Sequence, residues 1–159
     1  MKKTVMALAC GLVISGLSTI ALADDHGVKS EKQAQSIVAF RQSILKLVYS
    51  NMGPLGAMAK GQIDFDAAKM ETNAKRIAQL GMMMEDYFAP DTSGFDVDTE
   101  ALDAIWENSA DFNQKAMDMV EAAQALEKVA ASKDEDNYRK AIGAVGGTCK
   151  ACHDAYKAD

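Results

Sequence analysis

The chain has 159 residues, 17 basic and 23 acidic side chains and a formal net charge of −6, with 48% apolar but only 6% aromatic content. That length suits one compact domain and excludes multi-domain readings. The acidic balance excludes the clustered basic surface that a nucleic-acid binder needs. Abundant Ala, Met, Leu, Lys, Asp and Glu, with only two prolines, point to an all-helical protein.

Residues 1–23 read as a secretory signal peptide. Lys2 and Lys3 form a positive n-region, an apolar run extends from Val5 to about Ile20, and Ala21-Leu22-Ala23 supplies a small-x-small cleavage site. A retained membrane anchor is the competing reading, but Gly11, Ser15, Gly16, Ser18 and Thr19 interrupt the run and a cleavage motif ends it. The expectation is therefore an exported domain over residues 24–159, with no stable membrane insertion after cleavage. Cys10 is lost with the signal, because cleavage beside it would leave too short an apolar core. Losing Lys2 and Lys3 but no acid makes the mature domain still more acidic. Only Cys149 and Cys152 then remain, and a disulfide closing so small a loop would constrain the unfolded chain very little. The pair needs another explanation.

Four amphipathic segments follow, separated by three breaks. The first runs from about Ser30 to Met52, with Ser30 and Gln33 as a capping box and Ile37, Phe40, Ile44, Leu47 and Val48 recurring at three- and four-residue steps. Gly53-Pro54 is expected to stop it. After an irregular connection over residues 53–63, Asp64 or Asp66 is placed to cap a second helix carrying Ala67, Met70, Ala74, Ile77, Leu80, Met84 and Phe88. Pro90 to Gly94 is a turn cluster. The third segment begins near Thr99, places Leu102, Ile105, Trp106, Phe112, Met117, Val120, Ala123 and Leu126 along its length and ends around Ala131. Ser132 with Glu135 offers a capping box for the last segment, which carries Tyr138, Ala141, Ile142, Val145, Cys149, Cys152, His153 and Tyr156. Helices of this length with short connections pack most simply as an antiparallel up-down-up-down four-helix bundle. The methionines fall mostly on the stripes or in the Met82-Met83-Met84 run, as adaptable core filler.

The chemistry sits in the last segment. Cys149-Lys150-Ala151-Cys152-His153 is a CxxCH sequence, which reads as a c-type haem attachment site. On a helix its functional residues stand at i, i+3 and i+4, so both sulfurs and the imidazole share one face. A thioredoxin-like pair would need a βαβ setting, and a structural zinc site a fourth ligand at suitable spacing; neither is offered here. The remaining histidine, His26, lies three residues past the predicted cleavage site, which argues against two histidine ligands. His153 is then the sole imidazole ligand, and the opposite iron position falls to Met, water, a gas or nothing.

These motifs resemble the class II c-type cytochromes, and most closely the cytochrome c′ family, itself a standard example of the up-down-up-down bundle. The likeness spans essentially the whole mature chain. It rests on Cys149 to Tyr156 in the last helix, Arg41-Gln42-Ser43-Ile44-Leu45 in the first, the stretch from Met52-Gly53-Pro54 to Gly61, Ile105-Trp106, and Val145-Gly146-Gly147-Thr148. The resemblance implies one covalent haem c per chain, with Arg41 and Gln42 near the haem and the arginine pairing a propionate. It implies that Leu45 covers the distal face of the iron and that Thr99 and Glu100 lie at the haem edge. Lys157 stands four residues after His153, where relatives usually have an arginine; lysine keeps the charge but loses the planar fork, which puts proximal hydrogen bonding in question.

Low-spin members of the class use a first-helix methionine as sixth ligand. Met52, seven residues after Leu45, is the candidate; the two are about 10 Å apart along a helix and exclude one another. Leu45 is preferred. The function expected from the resemblance is a periplasmic, five-coordinate haem protein that cycles between ferric and ferrous states and binds NO or CO. An apolar distal side without a hydrogen-bond donor disfavours dioxygen storage. The alternative is a six-coordinate His153/Met52 electron carrier whose acidic surface steers a basic redox partner. A catalytic haem is disfavoured because no distal acid–base pair is evident. Relatives often form homodimers through their first two helices, and Phe40, Leu47 and Tyr49 are candidate contacts.

Overall fold

The computed structural model describes residues 27–158; the predicted signal peptide, Cys10 and His26 lie outside the described residues. Six helices follow in order: α1 (Glu31–Ala59), α2 (Ala67–Met82), α3 (Met84–Phe88), α4 (Ala104–Glu107), α5 (Ser109–Ala131) and α6 (Tyr138–Tyr156). The four long ones, α1, α2, α5 and α6, form the bundle. α2 and α5 make its closest pair, α6 packs on α5, α1 packs on α2, and a lighter α1–α6 contact closes the ring.

The first helix starts as expected. Ser30 Oγ accepts the Gln33 N–H at 3.2 Å, while the Gln33 side chain returns to the N–H of Lys29 at 2.9 Å, one residue earlier than a standard box. It does not stop at Met52, however, but continues through Gly53-Pro54 to Ala59. Proline inside a helix costs about 3 kcal/mol, since it has no N–H to offer the carbonyl one turn back. Beyond it Leu55 and Met58 are fully buried, and burial of such side chains contributes about 1.5–3 kcal/mol each, enough to offset the break. The actual stop is Gly61 at φ +70°, where the Gly61 and Gln62 N–H groups close back on the carbonyls of Met58 and Ala57.

Asp66, not Asp64, caps α2 by accepting the Lys69 N–H at 2.9 Å. The second segment is also broken once more than expected. The Met83 N–H bonds Leu80 at 3.2 Å, an i→i+3 closure that ends α2 and starts the short α3. The third segment begins later than Thr99, because residues 100–102 pair with the end of α6 instead of coiling. Ala101 bridges Lys157, the Leu102 N–H donates to Tyr156 O at 3.0 Å, and the Ala158 N–H donates to Glu100 O at 2.8 Å. Helix resumes as α4, breaks at Asn108 and continues as α5. The Ser132–Glu135 box does not form: Ser132 ends α5, and Asp134 receives the N–H groups of Asp136 and Asn137 at 3.1 and 3.0 Å just ahead of α6.

Leu55, Met58, Met70, Ile77, Val120, Leu126 and Val145 fill the bundle interior. Gly81 permits the tight α2–α5 contact, since a Cβ there would meet Val120 Cγ2 at 2.7 Å and Met119 Cε at 3.0 Å. Among the described residues no helix is long and apolar enough to cross a membrane. Phe40, Leu47 and Tyr49 are exposed on α1 rather than packed inside.

Candidate haem site

Cys149, Cys152 and His153 lie within the unbroken α6, so the i, i+3, i+4 spacing carries all three onto one face of the helix. Both cysteines are free, and both are partly buried against the apolar core. Burial pushes each thiol upward; the Thr148 hydroxyl opposes this at Cys149 and the Lys115 charge opposes it at Cys152. His153 is exposed, and among the described residues no side chain hydrogen-bonds its ring. Two neutral thiols on an apolar wall beside an accessible imidazole are the donor set that a thioether-linked haem requires, so these residues fit the group. Among the described residues no cluster of three or more His, Cys, Asp and Glu is placed to hold a metal ion, and no strand offers the βαβ setting of a redox dithiol.

The end of α6 is held from several directions. Besides the backbone bonds to residues 100–102, Lys157 Nζ pairs with Glu100 Oε2 at 3.2 Å. Thr99 Oγ1 accepts the Ala101 N–H at 3.1 Å and shapes the same segment. The buried Tyr156 hydroxyl donates to Asp111 Oδ2 at 2.6 Å, its ring meets Phe112 edge-on at 5.4 Å, and Lys115 lies 3.6 Å from the same carboxylate. The Asp111 bond and charge push the Tyr156 phenol up to about 12. Thr99, Glu100 and Lys157, chosen from distant parts of the sequence, therefore come together beside the helix that carries the CxxCH motif.

On α1 the expected site residues are arranged differently. Arg41 is only 3% exposed. Its Nε donates to Tyr87 O at 2.8 Å, one terminal nitrogen to Thr92 Oγ1 at 2.9 Å and the other to Pro90 O. The guanidinium carbon lies 5.0 Å from the Phe88 ring centroid and 5.1 Å from that of Trp106. Burial draws its pKa down to about 10 against the raising effect of Asp91, which leaves it charged at neutral pH. Gln42 Nε2 reaches Asp98 O at 3.3 Å. Leu45 is 40% exposed, whereas Met52 packs partly buried against the core. Since α1 is continuous across both, their separation of about 10 Å along its axis stands.

Sequence reasoning missed the partners that tie these groups down. Thr92 is buried in a turn that composition marks only as polar, and the Trp106 indole N–H donates to Phe88 O at 2.9 Å instead of serving only as stripe packing. The Asp111–Lys115 spacing of four is visible in the sequence as a helix ion pair, but its bond to Tyr156 is not.

A helical bundle with a CxxCH face on its last helix defines the class of the protein as a c-type haem protein of the four-helix kind. The family model for cytochrome c′ matches residues 36–157, and the chain belongs to that family. It is 40% identical over 126 residues to a cytochrome c′ of Cereibacter sphaeroides, covering 78% of this chain and 84% of that protein. Among solved structures it is similar to cytochrome c prime from Shewanella frigidimarina, with TM-score 0.71 and 36% identity over 83% of this chain and 99% of that one. It is also similar to a mutant of cytochrome c prime from Alcaligenes xylosoxidans solved as its nitric oxide complex, with TM-score 0.71 and 33% identity over 79% of this chain and 96% of that one. The family binds haem c covalently, so haem c is the cofactor and the all-α four-helix bundle is the fold.

Proposed function

We propose that residues 24–159, exported to the periplasm after removal of residues 1–23, form a gas-binding and redox-active haem protein. Cys149 and Cys152 hold the haem by thioether bonds, and His153 is its axial base. The observation that carries this reading is the face of α6, with two free, partly buried thiols beside an exposed imidazole that no side chain among the described residues hydrogen-bonds. When bound, haem supplies a ferric–ferrous couple and, where one axial position stays open, a binding place for a neutral diatomic such as NO or CO. Leu45, apolar and part-exposed, is assigned to cover that open side. The nitric oxide complex of the Alcaligenes xylosoxidans relative supports the choice of gas.

Arg41 keeps N–H groups beyond the three committed to residues 87–92, and these are assigned to a propionate, with Gln42, Thr99 and Glu100 along the haem edge and Lys157 on the proximal side. Exposed Phe40 and Leu47, seven residues apart, share one face of α1 suited to a homodimer, while exposed Tyr49 stands on the far side of the helix as a separate candidate contact. No Lys or Arg occurs between residues 77 and 114, where Asp91, Asp96, Asp98, Glu100 and Asp103 are exposed; that surface suits a basic redox partner.

The rival assignment makes Met52, whose side chain packs partly buried against the core, the sixth ligand of a low-spin electron carrier. Ferric and ferrous absorption spectra of the haem-loaded protein, with and without CO, decide between them. A high-spin spectrum that shifts under CO is expected. A low-spin spectrum unmoved by CO would transfer the function to Met52 ligation and electron carriage, and absence of covalent haem would overturn both readings.

A further inference from the structure

His153 occupies the last turn of α6, and helix ends fray unless their terminal groups find partners. Among the described residues its ring has no second hydrogen-bond partner of the kind that usually orients a metal-bound imidazole. What the structure holds in place is the turn itself. Tyr156 sits three residues further along the same helix, and its buried phenol reaches across to Asp111 Oδ2 on α5 at 2.6 Å, a length typical of a hydroxyl donating to a carboxylate. Its ring meets Phe112 with an interplanar angle of 82°, so both the ring and the hydroxyl of Tyr156 engage α5. Lys115 Nζ stands 3.6 Å from the same carboxylate with a side chain only 25% exposed, and its charge acts on Cys152.

The geometry points to Asp111 as a positioning residue for the haem ligand: by accepting the Tyr156 hydroxyl, it fixes the rotation of the last turn of α6 against α5 and so the direction in which His153 presents its imidazole. The side-chain bond to α5, together with the backbone bonds that residues 100–102 make to Tyr156 and Ala158, removes the freedom of that turn to roll about the helix axis. The Lys115 ammonium pairs with the same Asp111 oxygen that accepts the Tyr156 hydroxyl. This inference rests on His153 being the axial base.

The test uses the haem-loaded protein and four variants. Tyr156→Phe keeps the ring on Phe112 but removes the hydroxyl; Asp111→Ala removes the acceptor; Asp111→Asn retains an oxygen that can accept the same hydrogen bond; the fourth combines Tyr156→Phe with Asp111→Ala. The readouts are the iron–imidazole stretching band of the ferrous protein and amide exchange at Lys157, whose N–H closes on His153 O at 3.1 Å. Tyr156→Phe and Asp111→Ala are each expected to shift and broaden the band and to speed exchange about tenfold, the factor for losing one charge-assisted hydrogen bond that is partly open to solvent. The double variant should be no worse than either single one, and Asp111→Asn should resemble the parent. An unchanged band in Tyr156→Phe, or additive effects in the double variant, would overturn the inference while leaving His153 as the ligand. Absence of an iron–imidazole band in the parent protein would instead overturn the five-coordinate, His153-ligated reading on which the inference rests.

Discussion

Replacing Arg41 with methionine tests how the α1 end of the bundle is held together. The exchange keeps an apolar stem of similar reach but removes the donors that bind Tyr87 O, Pro90 O and Thr92 Oγ1 and the cation lying over Phe88 and Trp106. Hydrogen bonds from a charged donor contribute about 1.5–3 kcal/mol each, and a desolvated cation over an aromatic ring about 2 kcal/mol. Those gross figures overstate the loss. The carbonyls of residues 87 and 90 can recruit water once the guanidinium is gone, and removing the charge relieves the burial that draws its pKa down to about 10. Thr92 cannot hydrate so easily, because it is 2% exposed, and its orphaned hydroxyl adds a penalty of about 1–3 kcal/mol. A net loss of about 3 kcal/mol is expected once these opposing effects are combined. For a domain of this size that corresponds to a fall of about 10 °C in Tm.

Urea and thermal unfolding of the haem-loaded protein measure the loss, and a double-mutant cycle with Thr92→Val isolates the guanidinium–hydroxyl bond, with an expected coupling of about 1–2 kcal/mol. Arg41→Lys should recover less than half of the loss, since a single ammonium cannot span three acceptors arranged around a planar fork. If Arg41→Met unfolds within about 0.5 kcal/mol of the parent, or if the coupling to Thr92 is zero, the cluster does not stabilise the fold as argued.

Gly81→Ala should destabilise by about 1 kcal/mol, because the overpacking of a methyl against Val120 Cγ2 at 2.7 Å exceeds the gain in helix propensity. Exposed Gly143→Ala in α6 meets nothing within 4 Å and should stabilise by up to about 1 kcal/mol, so chemical denaturation of the pair separates packing from propensity. Tyr156 gives a pH signature: its phenol is raised from 10.0 to about 12 in the folded state, so the folded protein retains a proton that the unfolded chain has released. Its contribution to stability is therefore complete below pH 10 and is lost as the pH rises toward 12. Urea unfolding across that window should show a decline that Tyr156→Phe flattens; equal slopes would count against the Asp111 bond.

The parts of this protein legible in the sequence are those decided within about one helical turn. The Ser30 and Asp66 caps depend on side chains three residues from the N–H groups they receive, and the CxxCH face needs only a helix to bring Cys149, Cys152 and His153 together. Such short-range relations are set by helix geometry wherever the segment lies. Tertiary structure decided the rest. Local rules end α1 at Gly53-Pro54, but burial of Leu55 and Met58 carries it to Ala59. Local rules also start a helix near Thr99, but pairing with the end of α6 holds residues 100–102 extended.

The candidate site divides in the same way. The CxxCH triad is visible as a spaced motif, whereas the partners of Arg41 lie 46 to 51 residues away and Asp111 lies 45 residues from Tyr156. Nothing in the immediate sequence of Arg41 distinguishes a guanidinium clamped over two rings from one reaching into solvent, because which turn arrives to meet it depends on how every helix between them packs. Spacing along one helix determined the chemistry on α6; the closure of the bundle determined which side chains hold that chemistry in place, since those contacts exist only once distant turns are brought together.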